Sequence, residues 1–427
     1  MAFCFEDDTE LLEFPVRLEA TRTPKPNNLS QLRCIPISAT VIVAQLLLGA
    51  EGEFKEQLHQ LLSLPGQQQV YNVQYYNKIK NETGVLFYAP FHLHLSSLLK
   101  KLQRRKVGER FTLNQSNALF YNQNITLNEY FKRHLKGFYD SEIAPLDFNE
   151  DTASIINNWS SSHTNGLIPN ILSSSPAPST SGIFLNSIYF LAEWETPFSN
   201  ELNRNDTFHI NENDTVTVTY MHGMLLDVPY IETNDYKLVC LPYKNNELGM
   251  YIILPKPGNP DKYNINKFSD DLNAGDVLSN MLKAEVNDVV MKIPKLSLSN
   301  TLRLLQPLQK YTQFKKEHVE QKADTNVIDI IEDNVDDFKN FTSPKLTDIF
   351  LTNAAEDEGL RVSDIVQQMV FSINEKGTEA AAVTAGIVDY MGGSKPVVLN
   401  RPFVFFILHK ATRAVLFWGT IVDPSKN

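Results

Sequence analysis

The stretch from Glu375 to Thr384, Glu-Lys-Gly-Thr-Glu-Ala-Ala-Ala-Val-Thr, constrains this chain more than any other. It follows an apolar alternating strand ending at Ile373, where a tight turn or a second strand would be expected. Ala and Thr are small enough to slide between two existing strands, and Gly377 leaves the backbone free to bend. Nothing in the run is bulky enough to anchor it. The segment reads as a hinge leading into a loop with two homes.

Around it the chain has ordinary globular composition, 42% hydrophobic and 21% charged over 427 residues, ample for a sizeable core. A formal net charge of −11 makes nucleic acid a poor main partner, although a local basic patch can still hold a polyanion. No apolar run is long enough to span a membrane, so no membrane partner is expected. Residues Met1 to Asp8 lack the basic start and apolar core of a signal peptide. Cys4, Cys34 and Cys240 are an odd set without paired spacing, which implies neither a disulfide framework nor a zinc site. The sequons at Asn28, Asn81, Asn114, Asn124, Asn158, Asn205, Asn213 and Asn340 tilt the expectation slightly toward an extracellular glycoprotein over a cytoplasmic protein.

In chain order, Ser38 to Leu48 is apolar on nearly every side and reads as a core helix, with Ser38 as N-cap and Gly49 just past the end. A helical stretch from about Leu93 ends in Lys100, Lys101, Arg104, Arg105, Lys106 and Arg110. This is either a solvated helix end complementing the macrodipole or, with cations gathered at three- and four-residue spacing, a site for a sulfated, heparin-like polysaccharide. Asn117 to Tyr121 is a strand, Tyr130 to Leu135 an amphipathic helix closed by Gly137, and Ser154 to Ile171 a helix and turn. Gly182 to Leu191 has apolar residues on both faces, as in a central buried strand. Thr215 to Thr219, Tyr236 to Leu241, Met250 to Leu254 and Met291 to Leu298 are further strands, followed by a helix at about Leu302 to Lys310. Residues 316–341 are an acidic surface insertion. Phe403 to Leu408 and Val415 to Trp418 form a buried C-terminal hairpin. Strands and helices mix without regular alternation, repeat or linker, so residues 1–427 read as one large α+β domain.

Enzyme signatures do not occur: there is no Gly-x-Ser-x-Gly, His-Glu-x-x-His, P-loop or Gly-x-Gly-x-x-Gly. His92 and His94, placed near a helix start, read as surface histidines and not as metal ligands. No catalytic residue, metal or required cofactor is expected.

Glu375-Lys-Gly-Thr-Glu-Ala-Ala-Ala resembles the proximal hinge of inhibitory serpins, and Asn400-Arg-Pro-Phe-Val-Phe with Leu416-Phe-Trp-Gly resembles that family's C-terminal signature. Asn117-Ala-Leu-Phe, Ile156-Asn-Asn-Trp with Thr164-Asn-Gly, and Asn186-Ser-Ile-Tyr-Phe with Trp194 are similar to its internal landmarks, in order, from Ser38 to Pro424. The resemblance implies three β-sheets surrounded by eight or nine helices, a hinge and reactive-centre loop over 375–399, and a monomer. It also implies a suicide mechanism in which a serine protease cuts the loop and is trapped as a covalent complex while the loop inserts into the main sheet.

The residues fit that mechanism. From Gly377 to Met391 the chain reaches roughly 46 Å as a strand, at about 3.3 Å per residue. If Thr378 faces the core, so do Ala380, Ala382 and Thr384, all small and uncharged, while Glu379, Ala381 and Val383 face outward. By resemblance, counting the family's usual loop length from the hinge glycine puts the reactive bond at Met391–Gly392, and counting back from Asn400-Arg-Pro-Phe gives the same bond. A flexible apolar Met391 suits elastase- or chymotrypsin-like targets, with Tyr390 as runner-up. By resemblance Ser38, Gln367 and Trp194 belong to the region where the sheet opens; Gln31, Ile35, Gln367 and Leu191-Ala192 depart from the family's usual residues there. The alternative reading is a non-inhibitory serpin acting as carrier, decoy substrate or polysaccharide-binding protein.

Overall fold

The computed structural model describes residues 31–34, 36–62, 89–103, 111–306, 308, 349–351, 360–377 and 393–426. Two hydrogen-bonded strand networks form its frame. The six-stranded one contains β2 (Phe111–Asn122), β3 (Glu142–Leu146), β4 (Gly182–Ala192), β10 (Leu296–Arg303) and β12 (Leu360–Ile373), in the order β10-β12-β4-β2-β3, with β11 (Ile349–Leu351) paired to β12. The nine-stranded one contains β1 (Gln31–Cys34), β5 (Arg204–His209), β6 (Thr215–Glu232), β7 (Tyr236–Pro242), β8 (Leu248–Pro255), β9 (Glu285–Pro294), β13 (Lys395–Val398), β14 (Phe403–His409) and β15 (Ala414–Ile421). Its order is β1-β15-β14-β8-β7-β6-β9-β13, with β5 on β6. The 18-residue strand β6 joins its two halves: the first part of β6 pairs with β5, and its last three residues pair with β7.

Seven α-helices lie among the described residues: α1 (Pro36–Gly49), α2 (Gly52–Leu61), α3 (Ala89–Gln103), α4 (Glu129–Tyr139), α5 (Thr152–His163), α6 (Ile265–Asp270) and α7 (Ala274–Lys283). α1 is apolar on nearly every side, and its residues 37–49 are buried. It shares the main core with the face of β4 that carries Phe184, Ile188 and Phe190. On the opposite face α5 packs Ile156 and Trp159 with Ile183 and Leu185. Because successive side chains of a strand point to opposite faces, β4 is covered on both sides.

Several expectations are corrected. α1 starts at Pro36, so Ser38 lies inside its first turn and does not cap it; a proline at the first position has no N–H to leave unpaired. Gly137 lies within α4, which instead ends at Asp140, a left-handed residue with φ 49° whose N–H reaches the Leu135 and Lys136 carbonyls. The strand expected over Met291 to Leu298 is two, because β9 and β10 belong to different networks and separate at Lys295. Leu302 belongs to β10; of the helix expected from there to Lys310, residues 305, 306 and 308 are helical, and 307, 309 and 310 lie outside the described residues. His92 is 1% exposed, not on the surface: α3 begins at Ala89, which puts His92 on the same face as Leu95 and Leu99 and against the Tyr139 hydroxyl.

Candidate functional site

The arrangement that governs the site is a seam. β4 and β12 are neighbours and run parallel, paired from Gly182 opposite Val362 to Tyr189 opposite Val370. Beyond that point β4 continues to Ala192 bonded only to β2, and β12 continues to Ile373 bonded only to β10. Parallel pairing is slightly less stable per residue than antiparallel. The seam is one of two parallel pairings in this sheet, the other joining β2 to β3, and its upper end is parted.

At that end the chain turns back. Asn374 and Gly377 exchange backbone hydrogen bonds of 2.9 and 3.2 Å, closing a tight reversal after β12. Gly377 makes antiparallel bridges both to Asn374, which extends β12, and to Glu193, which extends β4. Gly377 therefore sits between the ends of the two strands, antiparallel to both. Its φ is +139°, and a Cβ here would lie 2.0 Å from the Ala192 carbonyl oxygen, so only glycine fits.

A latch of buried groups holds this turn. The Trp194 indole, 1% exposed, stacks on Tyr243 with centroids 4.5 Å apart and donates from Nε1 to the Asn374 carbonyl at 2.9 Å. The backbone N–H groups of Trp194 and Phe198 donate to the carbonyls of Lys376 and Glu375, at 2.9 and 2.7 Å. The Glu375 carboxylate accepts from Asn203 Nδ2 at 2.5 Å and from Lys295 Nζ at 3.0 Å. Burial pushes its pKa up, but the bonds from Asn203, its own backbone and Lys295 outweigh that and leave it below the ordinary value.

Lower in the seam a polar row crosses an otherwise apolar face. Asn117, Asn186 and Gln367 are in register on β2, β4 and β12. Gln367 Nε2 donates to Ser38 Oγ at 2.5 Å and to Asn186 Oδ1 at 3.0 Å; Asn186 Nδ2 donates to Asn117 Oδ1 at 2.8 Å. Ser141 and Gln45 extend the chain through a 2.8 Å bond. Gln367 Oε1 is buried and has no hydrogen-bond partner, so this crossing point is incompletely satisfied.

Of the residues named from the sequence, Trp194, Ser38, Gln367 and Gly377 line this seam. Thr378, Glu379, Ala380, Ala381, Ala382, Val383 and Thr384, the bond Met391–Gly392 and the segment 316–341 lie outside the described residues. Lys100 and Lys101 are exposed in the last turn of α3, whereas Arg104, Arg105, Lys106 and Arg110 lie outside the described residues. The Asn114 amide of one sequon donates to the His163 carbonyl, while Asn124, Asn158, Asn205 and Asn213 are exposed. Sequence reasoning missed Lys295 and Asn203 as partners of Glu375, and Gln45 and Ser141 in the polar row. The signal available was an asparagine inside each of two apolar strands.

Comparison with known proteins gives one result throughout. The family model described as Serpin (serine protease inhibitor) matches residues 27–424. The leukocyte elastase inhibitor of Xenopus tropicalis is 27% identical over 398 residues, covering 91% of this chain and 92% of the relative. The alpha-1-antiproteinase of Rattus norvegicus is 26% identical over 405 residues, covering 94% and 85%. Among solved structures, the thermophilic serpin tengpin in its native state superposes with a TM-score of 0.74 at 23% identity, covering 99% and 95%. Human thyroxine-binding globulin, complexed with its ligand, does so with a TM-score of 0.74 at 21% identity, covering 98% of each chain.

Proposed function

This chain belongs to the serpin family, and on that premise we propose that it inhibits serine endopeptidases as a suicide substrate, with Met391–Gly392 as the bait bond. The protease's serine attacks the Met391 carbonyl, the peptide bond to Gly392 breaks, and the nitrogen leaves as the new amino terminus of Gly392. The acyl-enzyme ester at Met391 then moves with the loop as it enters the seam. Trapping succeeds when insertion outruns attack of water on that ester.

One observation carries the reading: Gly377 bridges antiparallel to both walls of a parallel seam. A chain that reverses there and continues between β4 and β12 replaces one parallel pairing with two antiparallel ones. The Gly377–Met391 segment is long enough to run the whole of β12, which has 14 residues. An apolar P1 methionine favours elastase- or chymotrypsin-like targets.

Incubation with elastase, chymotrypsin and trypsin followed by denaturing electrophoresis tests the proposal. A detergent-resistant covalent band with at least one of the first two is the expected result. Clean cleavage without such a band from every protease would reject the inhibitory reading and leave a carrier or decoy.

A further inference from the structure

The three most exposed large hydrophobic side chains among the described residues are Leu282 at 72%, Val286 at 63% and Leu226 at 59%. They occur together at one end of the sheet formed by β6, β9 and β13. Val286 lies opposite Pro229 of β6, and Asn287 opposite Val228. Between Leu225 and Val228 the register slips: Asp227 takes φ 54° and its N–H donates to Asp288 Oδ1 at 3.2 Å. Alternation from the buried Leu225 points Leu226 outward, and the extra residue of the bulge, Asp227, returns Val228 to the inward face, so that Leu225 and Val228 are 3% and 2% exposed. Leu282 stands in the last turn of α7, directly before β9 begins.

Scattered exposed leucines need no explanation, but a cluster at one strand end marks a contact surface. Its position identifies the partner. β13 runs parallel to β9 with Lys395 opposite Val289, so two residues further back along that register Gly393 falls level with Asn287, beside Val286. Gly393 is two residues from Met391, at most about 7 Å of chain. Whatever cuts the bond Met391–Gly392 must approach over this end of the sheet.

We propose that Leu226, Val286 and Leu282 form an apolar exosite for the body of the target protease, on the side of its cleft that receives Gly392 and Gly393. The inference rests on the assignment of Met391–Gly392 as the bait bond. A second copy of this chain seated there would compete with the protease for the same approach.

The test uses the full chain with Leu226→Glu, Val286→Glu and Leu282→Glu, and a Leu226→Ser/Val286→Ser double variant should a glutamate variant fail to fold. Thermal unfolding establishes that each is native. The rate constant for covalent-complex formation with an elastase- or chymotrypsin-like enzyme should fall roughly tenfold for the glutamate variants, with the amount of protease consumed per inhibitor unchanged. An unchanged rate in natively folded variants overturns the exosite. If the wild-type chain is cut at Met391–Gly392 without trapping, the inhibitor reading fails on its own and kcat/KM for that cut carries the same comparison. An unchanged rate together with loss of self-association in sedimentation assigns the patch to a second copy and also overturns the proposal. A wild-type chain that no such protease cuts at this bond overturns both.

Discussion

Gln367 and Asn186 face each other across the parallel seam, and the 3.0 Å bond from Gln367 Nε2 to Asn186 Oδ1 is a side-chain tie between β12 and β4. The same nitrogen reaches Ser38 on α1, so one side chain joins the two strands of the seam to the core helix beneath them.

Replacing Gln367 with methionine keeps the volume and removes both bonds. The intact fold should lose about 1–2 kcal/mol, because two buried hydroxyl and amide groups lose a donor. Opening of the seam should become faster. Denaturant unfolding reads the first effect and the rate of covalent-complex formation the second; unaltered stability would mean that water or a rotated Ser38 replaces the tie.

The Glu375 latch should be pH-sensitive in one direction. Its folded pKa is depressed below the ordinary 4.5, so its contribution is present above that value and is lost as pH falls through the folded one. The protection of the Trp194 and Phe198 amides, bonded to the Lys376 and Glu375 carbonyls, against hydrogen exchange relative to the intrinsic rate at each pH should fall on acidification in that window. Glu375→Gln should remove the pH dependence and show the lower protection at neutral pH.

Gly377→Ala places a methyl group against the Ala192 carbonyl at a backbone angle that alanine rarely adopts. The expected cost is on the order of 2 kcal/mol, with the hinge released from Glu193. Thermal unfolding and limited proteolysis near the hinge would detect it; a variant of wild-type stability would mean that the turn can be remade elsewhere.

His92 predicts a wider acid effect. Burial first, then the neighbouring His134 and His59, lowers its pKa from 6.5 to about 3. The unfolded chain takes up a proton below pH 6.5 that the folded one refuses, so stability falls as pH drops from about 6.5 toward 3. Within that window this residue contributes about 1.4 kcal/mol per pH unit. His92→Gln should flatten that slope in denaturant titrations at pH 6 and pH 4.5.

The sequence disclosed strands better than their partners. β4 was legible because apolar residues on both faces leave a strand no exposed side, and the C-terminal hairpin because two apolar runs flank a short polar turn. β6 was not: only Thr215 to Thr219 carries a clear pattern, and the Leu225–Val228 bulge breaks the alternation beyond it. α6 and α7 were also missed, although Asn264 and Asn273 accept bonds from backbone N–H groups at their starts and mark them as caps. At the site, the small residues of the hinge announced themselves by composition. Lys295 and Asn203 could not, since their role depends on long-range geometry around Glu375. His92 was misplaced because a helix start four residues earlier than expected changes which face it occupies.

The central claim is that the seam between β4 and β12 accepts the cleaved loop as a new strand. The most direct measurement is thermal unfolding of the protein before and after cleavage at Met391–Gly392 by a protease that is then removed. The account predicts a large upward shift in Tm for the cleaved form, because two antiparallel pairings replace the parallel one. An unchanged or lowered Tm, with the cleavage verified by mass, would show that the loop stays outside the sheet and would contradict it.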